Sequence, residues 1–180
     1  MILLARHGRT AYNAEGRFQG QGPVPLDAHG REQAFALADV VAARGDVVRM
    51  VASPLTRAME TAAIIAARTG LAPEVDPGLA ETHTGDWTDR TYADVIAAEG
   101  EEAYARFRRL EPDFGAPGGE TFAAQLDRVL AAIDRIRAAA PADGATLVVC
   151  HGNVIRLLLR HERGVAPAHE DIDNTHLEAL

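Results

Sequence analysis

The sequence predicts an α/β fold, a three-layer sandwich with a mostly parallel central sheet, helices on both faces and a small helical cap insertion. Three observations carry this reading. Short apolar runs, too brief for helices, alternate with longer segments whose apolar residues recur every three or four positions. Two of the short runs, Ile2–Ala5 and Thr146–Cys150, stop abruptly before a His-Gly pair. The stretch from Pro77 to Gly119 differs from its surroundings, holding the only Trp, two of the three Tyr and several acidic clusters. At 180 residues the chain is long enough for one domain with a real core, spanning 1–180, with the cap inserted at about 77–119.

The first strand, Ile2 to Ala5, gives way to Arg6-His7-Gly8, where glycine allows a sharp turn. Ala11 to Val24 is rich in Gly, Gln and Asn and reads as a loop. Asp27 is an N-cap for a helix over Ala28–Arg44, with Ala34, Leu37, Ala38, Val41 and Ala42 on one face and Gly45 as its C-cap. Val47–Ala52 is the second strand. Ser53-Pro54 predicts a helix start, with serine as the cap and proline at the first position, and the helix runs to Thr69 before Gly70. Ala72–Asp76 is a short third strand. Within the cap, short helices are expected over Tyr92–Ala98 and Glu101–Leu110, followed by a loop through Pro117-Gly118-Gly119. Glu120–Ala140 carries a continuous stripe of Phe122, Leu126, Val129, Leu130, Ile133 and Ile136, the plainest helix in the chain. The strand ending at Cys150, a helix over Val154–Glu162 and an extended piece over His176–Leu180 complete it.

Composition narrows the function. A net charge of −8 argues against a nucleic-acid partner but leaves room for a local cationic site that takes a small anion. No apolar run approaches the length of a membrane span, and no leader precedes the first strand, so a cytoplasmic protein is expected. The single cysteine excludes an internal disulfide and a thiolate zinc site.

The chemistry concentrates where strands end, because open α/β sheets form their ligand crevices at the carboxyl ends of strands. Arg6 and His7 lie there, as does His151, and Arg57 lies in the first turn of a helix that follows a strand. A helix N-terminus attracts anions, and an arginine fork matches phosphate oxygens. Two histidines beside two arginines are either both neutral or stabilised by a dianion, and a phosphate meets that condition.

These residues resemble a known family. Arg6-His7-Gly8, Asn13, Arg57 within Ser53-Pro54-Leu55-Thr56-Arg57-Ala58, Leu79-x-Glu81 before Gly85-x-Trp87, Gly118-Gly119-Glu120-Thr121 and His151-Gly152 occur in the order of the histidine phosphatase superfamily, also called phosphoglycerate-mutase-like. The resemblance runs from residue 2 to about residue 175. It implies that His7 accepts a phosphoryl group, that Arg6, Arg57, His151 and the Gly152 amide hold its oxygens, that Asn13 donates a further hydrogen bond, and that Glu81 is the proton donor and acceptor. It implies no metal and no cofactor. Gln19, in Phe18-Gln19-Gly20, and the short cap resemble the phosphatase branch rather than the mutase branch, so a metal-independent phosphatase acting on a small phosphorylated metabolite is expected. A mutase and a non-catalytic phospho-ligand module are the alternatives. Gln19 and Gly20 join the expected substrate contacts, as does His83, two residues past Glu81. Arg9 departs from the family's usual Glu or Gln and places an extra cation near the mouth.

Other residues take plainer readings. Cys150 reads as a buried small hydrophobe. His29, His161, His169 and His176 read as structural or solvated, and Glu120 as a first-turn carboxylate of the long helix. The chain is expected to be a monomer or a homodimer, the latter through the His176–Leu180 edge.

Overall fold

Every residue of β1 (Ile2–Arg6) is buried, and so is every residue of β4 (Ala145–Cys150). Strands covered on both faces must be apolar at successive positions, which explains why these runs do not alternate with polar residues. The structure is a computed structural model that describes residues 1–180. In it β1 and β4 pair in parallel at the centre of a five-stranded sheet, with Arg6 opposite Cys150. β2 (Val47–Ala52) flanks β4, and β3 (Pro73–Val75) lies outside β2, both parallel. β5 (Leu177–Ala179) adds antiparallel to the free side of β1.

Side chains alternate between the two faces, as the pleat requires. Leu3, Ala5, Met50, Ala52, Leu147 and Val149 pack under α2 (Ala28–Arg44) and α3 (Thr56–Thr69). Ile2, Leu4, Val51, Val148 and Cys150 face α6 (Phe122–Ala138) and α7 (Gly152–Arg163). The three layers, the parallel sheet and helices on both faces are therefore as the sequence predicts.

Between β3 and α6 the chain makes two short 3₁₀ turns, then α4 (Tyr92–Glu99) and α5 (Glu101–Arg108). These elements share a third core. Phe18 lies 5.1 Å from Trp87 and 5.2 Å from Phe107, and Trp87 lies 5.7 Å from Phe114. Phe122 of α6 and Leu157 of α7 join this cluster, which ties α4 and α5 to the sheet layer. No helix is long and apolar enough to cross a membrane.

Two local expectations are corrected. The stretch expected to be a loop from Ala11 begins with a helix, α1 (Ala11–Glu15). Thr10 caps it, and the Asn13 side chain accepts from the Thr10 N–H in return. Ser53 does not cap α3. That helix starts at Thr56 after Leu55, with no side-chain cap, and the buried Ser53 hydroxyl turns toward His151.

A close backbone approach fixes the turn after β1. A Cβ on Gly8 would lie 2.3 Å from the Gly30 carbonyl oxygen, and one on Gly30 would lie 1.9 Å from that of Arg9. Glycine is needed at both places because backbone fills the space a side chain would take.

Candidate active site

The β1–β4 pairing brings together two residues that are 144 positions apart in the chain. His7 and His151 each follow the last residue of their strand, and the His7 N–H donates to the Cys150 carbonyl at 3.1 Å. Their ring centroids are 5.1 Å apart. Both rings are buried, His7 with 2% of its surface exposed and His151 with none.

Hydrogen bonds select a tautomer for His7. Nδ1 lies 2.7 Å from the Gly8 carbonyl oxygen, an acceptor only, so Nδ1 carries the proton. Nε2 then holds a lone pair, and Arg57 Nε donates to it at 3.2 Å. Burial first, then the charges of Arg57 and Arg6, holds the His7 imidazole well below its ordinary range. The ring is therefore neutral at pH 7 and keeps a nucleophilic nitrogen.

His151 is set by a residue whose role the sequence reading misassigned. Its Nε2 lies 2.7 Å from Ser53 Oγ, which also accepts from the Leu55 N–H at 3.3 Å. With the hydroxyl proton directed to Nε2, the His151 proton resides on Nδ1, which has no partner within the protein. Burial, with Arg57 the next cause, also holds His151 well below the ordinary imidazole range. A neutral ring with a spare N–H is a donor for an anion.

The two arginines are buried and anchored. Arg57, in the first turn of α3, donates Nη2 to the Gly20 carbonyl at 2.9 Å and Nη1 to that of Gly22 at 3.3 Å. Gly20 accepts in the left-handed conformation, φ +50°, which glycine adopts readily. Burial pushes the Arg57 pKa down to about 10, which still leaves it charged at neutral pH. Arg6 donates Nη1 to the Ile172 carbonyl, while its buried Nε has no partner. An unpartnered Arg6 Nε and an unpartnered His151 Nδ1 are buried polar atoms that an anion would satisfy.

Glu81 arrives on the loop before α4, and three residues aim it. Its Oε1 accepts from the Thr82 N–H at 2.9 Å and from Gln125 Nε2 at 3.4 Å, and its Oε2 accepts from the Asn153 N–H at 3.3 Å. Arg128 of α6 holds the loop itself, donating to the carbonyls of Gly78, Ala80 and Glu81 at 2.9, 2.7 and 3.0 Å. Glu120 lies before α6, not in its first turn. It binds Arg128 Nη2 at 2.5 Å and accepts from the His83 N–H at 2.7 Å. Thr121 is the N-cap. Neither Gln125 nor Arg128 carries a sequence signal, since each reaches the Glu81 loop across more than forty residues.

These groups line one cleft. Arg6, His7, Asn13, Gln19, Gly20, Arg57, Glu81 and Gly152 all border it, and His151, outside this lining, packs against His7. Gln19 is held by Thr10 Oγ1, which donates to its Oε1 at 2.8 Å. Asn13 Oδ1 accepts from the Thr10 N–H at 3.1 Å, leaving its NH₂ as a donor. His83 is exposed and does not border the cleft. Arg9 is likewise outside, paired with Asp27 at 2.8 Å. His169, expected to be solvated, lines the cleft instead, as do Arg17 and Arg108. Cys150 is buried as expected, and burial pushes its thiol pKa up.

Comparison with known proteins agrees with this geometry. The family model "Histidine phosphatase superfamily (branch 1)" matches residues 2–180. A glucosyl-3-phosphoglycerate phosphatase of Mycolicibacterium vanbaalenii is 37% identical over 87% of this chain and 71% of its own length. A metal-independent phosphoserine phosphatase of Arabidopsis thaliana is 37% identical over 87% of this chain and 66% of its own. Among solved structures, a mycobacterial glucosyl-3-phosphoglycerate phosphatase in complex with VO3 superposes with a TM-score of 0.86 at 31% identity, covering 98% of this chain and 90% of that one. With a match over nearly its whole length, the chain belongs to branch 1 of the histidine phosphatase superfamily.

Proposed function

We propose that this chain hydrolyses a small phosphomonoester by way of a phosphoryl group carried on His7 Nε2. The observation that carries the reading is the pairing of His7 Nδ1–H with the Gly8 carbonyl, which leaves the Nε2 lone pair facing a cleft of two buried arginines. Relatives named for phosphatase activity and a neighbouring structure solved with VO3 support it.

The residues divide the work as follows. When the phosphoryl group enters, its oxygens attract Arg57 and Arg6, and Arg57 Nε gives up its bond to His7 Nε2. The freed lone pair attacks phosphorus. The P–N bond forms as the P–O ester bond breaks, and Glu81 in its protonated form supplies a proton to the departing oxygen. The Gly8 carbonyl stabilises the charge that develops on the His7 ring. Arg6, Arg57, the His151 Nδ1–H and the α7 N-terminus at Gly152 hold the equatorial oxygens throughout, which is positioning and electrostatics. Water then attacks phosphorus, Glu81 takes its proton, and the P–N bond breaks to return neutral His7 and free phosphate. The segment over 77–119, with α4 and α5, acts as the cap that sets which leaving group fits.

The test is phosphate release from an aryl phosphate and a panel of metabolite monophosphates, in chelator, by wild type and His7→Ala. Turnover by wild type, acid-labile phosphate on the protein during turnover, and loss of both in the variant are expected. Activity that survives in His7→Ala would sink the mechanism.

A further inference from the structure

Behind Glu81 lies a row of buried polar side chains: Arg156 and Asn153 of α7, Thr82 of the Glu81 loop and Gln125 of α6. All four are buried, and Gln125 has no exposed surface at all. A buried amide or hydroxyl is costly unless its hydrogen bonds are made, so such a row is retained only where each member is satisfied by the next. The chemistry of the groups fixes the direction in which these bonds run. Arg156 has donors only. Burial lowers its pKa to about 10, which leaves it charged. It is held by the carbonyls of Pro167 at 3.0 Å and Arg108 at 2.7 Å, and its Nη1 donates to Asn153 Oδ1 at 3.3 Å. The Asn153 amide is thereby oriented, and its Nδ2 donates to Thr82 Oγ1 at 3.1 Å. The Thr82 hydroxyl has one proton to give onward. Gln125 Oε1 lies 2.7 Å away, the length of an O–H···O bond, and Glu81 Oε1 lies farther off at 3.3 Å. With its oxygen engaged there, Gln125 turns Nε2 to Glu81 Oε1 at 3.4 Å, and the Thr82 N–H meets the same oxygen at 2.9 Å. Oε1 thus faces donors on both sides. Oε2 accepts from the Asn153 N–H at 3.3 Å, in the first turn of α7, where Asn153 and Gly152 border the cleft.

We propose that Thr82 and Gln125 are positioning residues that hold Glu81 Oε1 as an acceptor and so place the catalytic proton on Oε2. The proposal rests on the reading of Glu81 as the acid and base of the phosphatase reaction. Both lone pairs of Oε1 meet N–H groups, so a proton there would displace one of them. Oε2 keeps room for a proton beside the α7 N-terminus, where the oxygens of the phosphoryl group are held. As the P–O ester bond breaks, the Oε2 proton passes to the departing oxygen and Glu81 is left ionised. The water that attacks the P–N intermediate then returns a proton to Oε2. A flipped Gln125 amide would set its oxygen against Oε1, an arrangement satisfied only with the proton on Oε1, turned away from the leaving group. Arg156, at the far end of the row, prevents that flip by dictating the direction of every bond between itself and Glu81.

The test compares two esters, an alkyl phosphate whose leaving oxygen needs a proton and dinitrophenyl phosphate whose leaving group does not. Gln125→Met removes the amide at similar volume, Thr82→Val removes the hydroxyl, and Thr82→Ser keeps it. Gln125→Met and Thr82→Val are each expected to lower kcat for the alkyl ester by about tenfold or more, with KM nearly unchanged. The burst of dinitrophenolate should stay within about twofold of wild type, and Thr82→Ser should retain most of the alkyl-ester rate. In a Glu81→Gln background, Gln125→Met should cost nothing further, because the group it positions is already gone. A purely structural role would instead slow both esters and add to the Glu81→Gln loss. Alkyl-ester kcat unchanged in both Gln125→Met and Thr82→Val, equal losses for the two esters, or a further loss in the Glu81→Gln background overturns the positioning role and leaves the phosphatase reading standing. Full alkyl-ester activity in Glu81→Gln alone overturns the acid–base reading, and the positioning role with it.

Discussion

Ser53→Ala removes one hydroxyl that never reaches the cleft, yet it should slow the reaction. In the native protein Ser53 Oγ lies 2.7 Å from His151 Nε2 and accepts from the Leu55 amide, which leaves its own proton free to be donated to the imidazole. His151 is fully buried, and no other protein group lies within reach of either of its ring nitrogens. Two effects follow. The variant leaves a buried nitrogen without a partner, which costs about 1–3 kcal/mol of stability. It also releases the tautomer, and the form with its proton on Nε2 turns a lone pair toward the phosphoryl oxygens. Loss of a donor that stabilises transferring charge costs about 2.7–4 kcal/mol in a site built for it. Because the alternative tautomer is only partly populated, a fall in kcat of about tenfold or more is expected, with a smaller change in KM. The assay is steady-state hydrolysis of an aryl phosphate beside nitrogen-15 spectra of the histidine rings. Wild-type spectra should place the His151 proton on Nδ1, and the variant should show a mixture. A variant with kcat within twofold of wild type, or a wild-type proton on Nε2, would refute the reasoning.

Three further outcomes are expected. Glu81→Gln should lower kcat by about 10²- to 10⁴-fold for an alkyl phosphate, and much less for the phosphoryl-transfer step of a dinitrophenyl phosphate, whose leaving group needs no proton; equal losses in burst-phase and steady-state rates for both esters would remove Glu81 as the acid. Stability should fall as pH drops below about 6.5, because His7 and His151 have depressed pKa values when folded and the unfolded chain therefore binds more protons. Each contributes a slope of up to about 1.4 kcal/mol per pH unit, and urea melts between pH 7 and 5 compared with a His7→Gln, His151→Gln variant should show the slope flattened in the latter. Gly30→Ala should destabilise by at least about 1–3 kcal/mol, since its Cβ would meet the Arg9 carbonyl at 1.9 Å, and should lower the melting temperature by roughly 2–4 °C for each kcal/mol. An unshifted melting curve would show that the turn relaxes at no cost.

What could be read from the sequence was what neighbours in the chain decide. The α2 boundaries followed from Asp27 and Gly45, and the central strands from apolar runs, because caps and burial leave local marks. His7, Arg6, Arg57 and His151 stood out because each follows directly from a strand end or a helix start. Most of the misreadings concern contacts that the local pattern does not mark. Ser53-Pro54 looks like a helix start, but the serine answers to a histidine 98 positions away. Glu120 looked like a first-turn carboxylate, but Arg128 holds it. His169 and Arg108 show nothing locally, and only the folded chain brings them to one wall. The Thr10–Asn13 capping pair lies in the letters, but the richness of the stretch in Gly, Gln and Asn reads as a loop.

The β1–β4 pairing also sets a schedule. On a ribosome the strand that carries His7 is made long before its central partner, Ala145–Cys150. Until then a strand that is apolar on both sides has no parallel neighbour in the nascent chain, a condition that invites chaperones and misassociation. Closing so large a loop is a late and entropically costly event. Catalytic competence should thus return in refolding only once β1 and β4 pair, which makes enzyme turnover a clock for closure of the sheet's centre.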